Sequence, residues 1–182
     1  RTHSLTHALH YASQVFEGER AYSGKIFKSR EHTERLRASC QYLDFDLSLG
    51  NEEFDAIKAQ VLDANDIFDG YVRAFCWRGS EMMAISAQQT TAHLAIAAWE
   101  WPSYFDPETK MKGITLDIAS WKRPSPESAP VHAKAAGLYM ICTLSKHEAE
   151  RNGFQDALMM DYRGYIAEAT GANVFFVDDA GT

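Results

Sequence analysis

Residues 138–177 constrain the architecture more than any other stretch. Leu138, Ile141, Cys142, Leu144 and Ser145 recur at helical spacing, so a buried helix begins here. DALMMD (156–161) and GYIAEATGANVFFVD (164–178) follow and read as buried strands, with Tyr162-Arg163-Gly164 as the turn between Met160 and Tyr165. The expected fold class is α+β.

The preceding residues supply the remaining elements. Leu5 to Val15 carries apolar residues at helical spacing, and Phe16 to Tyr22 continues as a strand that turns at Ser23-Gly24-Lys25 into Ile26-Phe27. Ser29 is placed to cap a helix presenting Leu36, Cys40 and Leu43 to the core, and Asn51 to Ile67 reads as a second helix with Phe54, Ile57, Val61 and Leu62 on its apolar face. Tyr71–Trp77 and His93–Trp99 are strand runs joined by a polar connection. Residues 101–107, with two prolines and a change to irregular composition, read as a linker. The expected organisation is therefore a first domain at 1–98, a linker at 99–108 and a second domain from 109 to 182. Gly113 to Ser120 resumes as a strand, and 121–126 runs extended toward Lys134.

Two residues stand out chemically. Lys134 lies among Ala133, Ala135, Ala136 and Gly137, which leave space around its amine just before the helix. An amine held among apolar groups is a candidate to attack a carbonyl and form a Schiff base. The same surroundings also suit an ordinary lysine with a packed stem and a solvated head. Glu168 falls where a strand dissolves into Ala169-Thr170-Gly171-Ala172-Asn173, a small-residue loop of the kind that brings backbone close to a ligand. A carboxylate there is costly without a partner, and a protonated ring nitrogen is one partner that would satisfy it. His7 and His10 are three apart on a helical run, but no third ligand cluster accompanies them, so no metal is expected.

AKAAGLY (133–139) and GYIAEATGANVFF (164–176) resemble the segments around the Schiff-base lysine and the pyridine-pairing acid of the fold-type IV pyridoxal-phosphate enzymes, the class IV aminotransferases. HALHYASQVFEGERAY, SREHTERL and YVRAFCWRG add matches in the family's order, and the FEGER run favours the branched-chain aminotransferases among its members. The resemblance implies a two-domain enzyme whose second domain is incomplete in this sequence, with pyridoxal 5'-phosphate as cofactor. It assigns Lys134 to the Schiff base and the proton shuttle, Glu168 to the pyridine nitrogen, Tyr139 to the cofactor's phenolic oxygen and Arg35 to its phosphate. Asn173 falls on a cofactor-binding position. Tyr11 and Phe16 match walls of the substrate pocket, Arg20 lies nearby, Tyr71 and Arg73 match positions that hold substrate carboxylates, and Tyr104 matches a tyrosine that reaches the substrate. Branched-chain amino acids and 2-oxoglutarate are the implied exchange pair, and the family's interfacial sites imply a homodimer or larger homo-oligomer. Ala172 and Ala74 depart from the family pattern, where a glutamate and a proline are common.

A net charge of −7, with acids and bases interspersed, argues against a nucleic-acid groove or a polybasic membrane patch. Small molecules, amino acids and 2-oxo acids, are the expected partners. Cys40, Cys76 and Cys142 are odd in number and lack Cys-x-x-Cys spacing, which fits a reducing cytoplasm and no disulfide framework. Rival readings within the resemblance are a D-amino-acid aminotransferase, an amine transaminase and an aminodeoxychorismate lyase. A catalytically silent binding protein of the same fold is the rival outside it.

Overall fold

A computed structural model describes residues 2–101, 103 and 105–181. The chain divides into two compact units, one of residues 1–103 with 130–137 and the other of residues 104–129 with 138–182.

The first unit is built on a five-stranded antiparallel sheet. Its central strand β4 (Gly70–Arg78) pairs along one edge with β5 (Ala92–Glu100) and along the other with β1 (Gln14–Phe16) and β2 (Glu19–Tyr22), beyond which lies β3 (Lys25–Ile26). Both β1 and β2 hold a single register against β4, with Phe16 opposite Phe75 and Glu19 opposite Val72. Glu17 and Gly18 therefore fall opposite Ala74 and Arg73, and the Glu17 N–H donates to the Ala74 carbonyl at 2.8 Å.

Alternation then sorts the side chains between two faces. Val15, Glu17, Glu19, Ala21, Val72, Ala74 and Cys76 are all buried to 1 % exposure or less. Leu36 and Cys40 of α2 (Ser29–Tyr42) and Phe54 and Leu62 of α3 (Asn51–Asp63) are buried to the same degree. The two helices are joined by Asp55, which accepts from the hydroxyls of Ser29 and Thr33 and from Arg30. Burial pushes the Asp55 carboxyl up, but these hydrogen bonds and nearby Lys58 prevail and hold it below its ordinary value.

The second unit contains a three-stranded sheet in the order β6 (Leu116–Arg123), β7 (Asp156–Asp161), β8 (Ile166–Ala169). β6 and β7 are parallel, and α5 (Met140–Arg151) lies between them in sequence and packs Cys142 and Ala149 against Ala119, Ala157 and Met159. Before β6, α4 (Pro107–Lys112) is capped by the Asp106 carboxylate, which accepts from the Thr109 N–H.

Several elements differ from the sequence reading. The helix expected over 5–15 is α1 (His7–Tyr11), five residues long. Ala12 turns left-handed and bonds back to Ala8, and from Gln14 the chain is taken up by pairing with β4, so sheet formation overrides the helical period. Ser29 does not cap α2. Lys28 occupies the cap position, and the Ser29 hydroxyl donates to Asp55 instead. α3 stops at Asp63, four residues short of Ile67. The strand expected to run on to residue 178 ends at Ala169, because the Ala169 N–H bonds the Ala172 carbonyl and closes a turn that takes the chain off the ladder. Phe175, Phe176 and Val177 are correspondingly exposed. Among the described residues no helix is long and apolar enough to cross a membrane.

Candidate active site

In the first unit the segment 130–137 is drawn against β1 and α2 by its backbone. The Lys134 carbonyl accepts from the Phe16 N–H at 3.1 Å, Ala135 forms an antiparallel bridge with Val15, and the Lys134 N–H donates to the Ser39 hydroxyl at 3.0 Å. The Lys134 amine then lies 5.1 Å from the centre of the Phe16 ring, a cation–π distance. Ala133 and Ala135 are nearly fully buried beside it. Ser39 sits one turn beyond Arg35 on the same face of α2, so the backbone that presents the amine is fastened to the helix face that presents the guanidinium.

Arg35 is half exposed, at 54 %, and its Nε and Nη2 donate to the two oxygens of Glu17, each at 2.6 Å. His32 Nδ1 lies 2.8 Å from the second of those oxygens. Burial pushes the Glu17 carboxyl up, but the hydrogen bonds from Arg35 and His32 outweigh it and hold the group below the ordinary carboxylate range. Glu19, two residues on and facing the same way, meets Lys58 at 2.7 Å in full burial. There burial prevails and the carboxyl is pushed up.

The opposite face of the sheet gathers Phe16, Arg20, Tyr71 and Arg73. Arg20 pairs with Tyr71 across the strands, and its Nη1 donates to the Trp101 carbonyl at 3.0 Å. The Tyr71 ring packs 5.0 Å from both Trp99 and Trp101, while its hydroxyl accepts from Arg73 Nη2 at 2.8 Å. The Arg73 guanidinium lies 4.4 Å from the centre of the Phe16 ring. Ala95 and Ala97 of β5 stand opposite Phe75 and Arg73 and add little bulk to this face. Gly18 is required here by close approach, since a Cβ at this position would stand 2.0 Å from the Tyr71 hydroxyl oxygen. Tyr11, at the end of α1, packs its ring 4.6 Å from His7 and is partly exposed. The Tyr104 position lies outside the described residues.

Tyr139, Glu168 and Asn173 belong to the second unit. Tyr139 closes a 3-10 turn just before α5 and packs against that unit's core. Glu168 is opposite Met159 on β8, and its carboxylate is 3.0 Å from Arg123 Nε. Arg123 in turn donates to the Leu138 carbonyl, which ties the β6 end to the turn carrying Tyr139. Asn173 is exposed just past the turn that ends β8.

Glu17, Gly18, His32, Ser39 and Arg123 belong to these arrangements but were not singled out from sequence. For Glu17 a signal existed, namely an acid directly after Phe16 in a strand-forming run. The other four are unremarkable without knowledge of their cross-strand and interhelical partners.

The amino-transferase class IV family matches this chain over residues 14–181. A probable branched-chain-amino-acid aminotransferase of Rickettsia conorii is 44 % identical over 179 residues, covering 98 % of this chain and 60 % of the relative. Among solved structures, the branched-chain amino acid aminotransferase of Escherichia coli superposes with a TM-score of 0.92 at 34 % identity, covering 98 % of this chain and 60 % of its own. An aminotransferase from Brucella abortus, solved bound to the cofactor PLP, gives a TM-score of 0.83 at 29 % identity, covering 98 % of this chain and 63 % of its own. The chain thus spans about 60 % of the length of the branched-chain relatives it matches.

Proposed function

The chain belongs to the class IV aminotransferases, and from that we propose that it acts as a pyridoxal-phosphate-dependent branched-chain aminotransferase, moving an amino group between leucine, isoleucine or valine and 2-oxoglutarate. The observation that carries the reading is the fastening of the Lys134 segment to the Arg35 face of α2 through Ser39. It provides an amine and a guanidinium on neighbouring supports. That donor set fits a ligand with an aldehyde at one end and a phosphate monoester at the other.

When bound, pyridoxal phosphate supplies a carbonyl that condenses with amines and a ring that accepts an electron pair from the substrate α-carbon. Lys134 is the proposed attachment point, and its amine, released when the substrate amine takes its place, would carry the proton to and from the substrate α-carbon. Arg35 grips the phosphate. Glu168 keeps a proton on the ring nitrogen, Tyr139 donates to the phenolic oxygen, and Asn173 contributes to cofactor binding. Tyr71 and Arg73 receive substrate carboxylates, with Arg20 nearby on the same sheet face, where the hydrogen bond from Arg73 to Tyr71 and the contact with the Phe16 ring hold the guanidinium steady. Phe16, Tyr11 and Tyr104 wall the pocket for the substrate side chain. A cytoplasmic homodimer or larger homo-oligomer is part of the same proposal.

The test is spectroscopic and kinetic. The intact protein with pyridoxal phosphate is expected to show a near-visible absorbance band that borohydride fixes covalently, with the label recovered on the peptide containing Lys134. Lys134→Ala is expected to lose both the label and the exchange of L-leucine with 2-oxoglutarate. A label on another lysine would remove Lys134 from the mechanism. Exchange of D-alanine in preference to L-leucine would overturn the substrate class.

A further inference from the structure

We propose that Glu17 is the positioning residue for the phosphate-binding guanidinium, fixing Arg35 so that one edge of its fork faces the cofactor phosphate. The inference rests on the assignment of Arg35 to that phosphate. Its basis is a mismatch in exposure. Arg35 is more than half exposed and on a water-facing helix turn would sample many rotamers, whereas its partner Glu17 is fully buried. Two parallel charge-assisted bonds of 2.6 Å lock the guanidinium plane to a carboxylate that cannot itself swing. The bonds use Nε and Nη2, so the edge carrying Nη1 is turned away from Glu17.

Glu17 is immobilised from several sides. Its own N–H is tied to Ala74, His32 holds one carboxylate oxygen, and the preceding residue Phe16 bonds the Lys134 carbonyl. Three consecutive residues, Phe16 at the end of β1 and Glu17 and Gly18 in the short link to β2, thereby touch the amine segment, the guanidinium and the Tyr71 phenol. The distance between amine and guanidinium supports is then set by the backbone of this β1–β2 link and by the Ser39 tether, not by long flexible side chains.

Two consequences of removing the Glu17 charge oppose each other. A purely electrostatic account predicts tighter phosphate binding in Glu17→Gln, because Arg35 loses a neutralising partner. Positioning predicts weaker binding, because a glutamine amide places N–H groups against the N–H groups of Arg35 or His32 and breaks the paired fork. The experiment compares affinity for pyridoxal phosphate with affinity for pyridoxal, which lacks the phosphate, in the intact apoprotein. Glu17→Gln and Glu17→Asp are expected to weaken pyridoxal phosphate by about tenfold or more while leaving pyridoxal within about threefold, since one charge-assisted contact is lost. The double variant Glu17→Gln with Arg35→Ala is expected to bind no more weakly than Arg35→Ala alone. Glu17→Asp keeps the charge and shortens the reach, so it reads the same ratio should the Gln variant not fold. Unchanged or tighter pyridoxal-phosphate binding overturns the inference, as does a parallel loss for both ligands. If Arg35→Ala itself fails to distinguish the two ligands, the phosphate assignment beneath the inference falls as well.

Discussion

Gly18→Ala is the smallest change that tests the open sheet face. A Cβ at residue 18 would lie 2.0 Å from the Tyr71 hydroxyl oxygen and 2.9 Å from Cζ, where ordinary contact begins at 3.4 Å. The oxygen must therefore retreat by about 1.4 Å, the difference of those two distances. Its freedom to do so is limited, because Trp99 and Trp101 each pack 5.0 Å from the ring. The hydroxyl then cannot keep its place 2.8 Å from Arg73 Nη2 unless Arg73 moves with it. If Tyr71 and Arg73 receive substrate carboxylates, misplacement by an ångström costs on the order of 100-fold in kcat/KM, or about 2.7 kcal/mol. Near-ultraviolet circular dichroism of the tryptophans reports the ring shift independently of turnover. Tyr71→Phe removes the atom at 2.0 Å but leaves the one at 2.9 Å, so the clash is reduced and Gly18→Ala is expected to cost less in the Tyr71→Phe background than in the wild type. Wild-type kcat/KM for L-leucine and 2-oxoglutarate in Gly18→Ala, with an unchanged aromatic spectrum, would refute the argument.

Three further outcomes are expected. Lys58→Met strands the buried Glu19 carboxylate and should cost about 3–5 kcal/mol at neutral pH by chemical denaturation, and less as the pH falls, because burial pushes the Glu19 carboxyl up and makes its protonation easier. A loss below about 1 kcal/mol at neutral pH contradicts it. Because the Glu17 carboxyl is held below its ordinary value, its contribution to stability is fully present above about pH 4.3 and is lost as the pH falls further, since the unfolded chain takes up the proton first. Melting temperature against pH should accordingly fall less steeply below that point in Glu17→Gln, and an identical acid limb in both proteins would exclude this source. Glu168→Gln is expected to retain cofactor and to slow α-proton removal in single-turnover assays with α-deuterated leucine, whereas normal turnover with weakened cofactor binding would make Glu168 a binding residue only.

Much of the fold was readable because helical and strand periods dominate most of the chain. α2, α3, α5, β4 and β5 lie close to their expected spans. What escaped was decided by partners distant in sequence. The end of α1 depends on where β4 captures Gln14, and the hydroxyl of Ser29 is claimed by Asp55, 26 residues away. No local pattern carries that information. Lys134 and Arg35 are candidates that motifs point to, but Ser39, which links their supports, contributes a single hydroxyl that any helix could display.

The run Phe16-Glu17-Gly18-Glu19-Arg20 explains why the site is harder to read than the fold. Alternation ordinarily places apolar residues inward and charges outward. Here the two acids point into the helix layer, where Arg35, His32 and Lys58 meet them, and Phe16, Gly18 and Arg20 lie on the opposite face, Phe16 itself buried there. Read with the usual assumption, every assignment in this segment inverts, and Glu17 becomes a solvated acid. The inversion persists because each buried acid has a cationic partner on a neighbouring helix, without which its burial would cost several kcal/mol. The exchange leaves the open face free for groups that bind anions and apolar side chains side by side. The proposed exchange between a branched aliphatic amino acid and a dicarboxylate would need both kinds of contact on one surface.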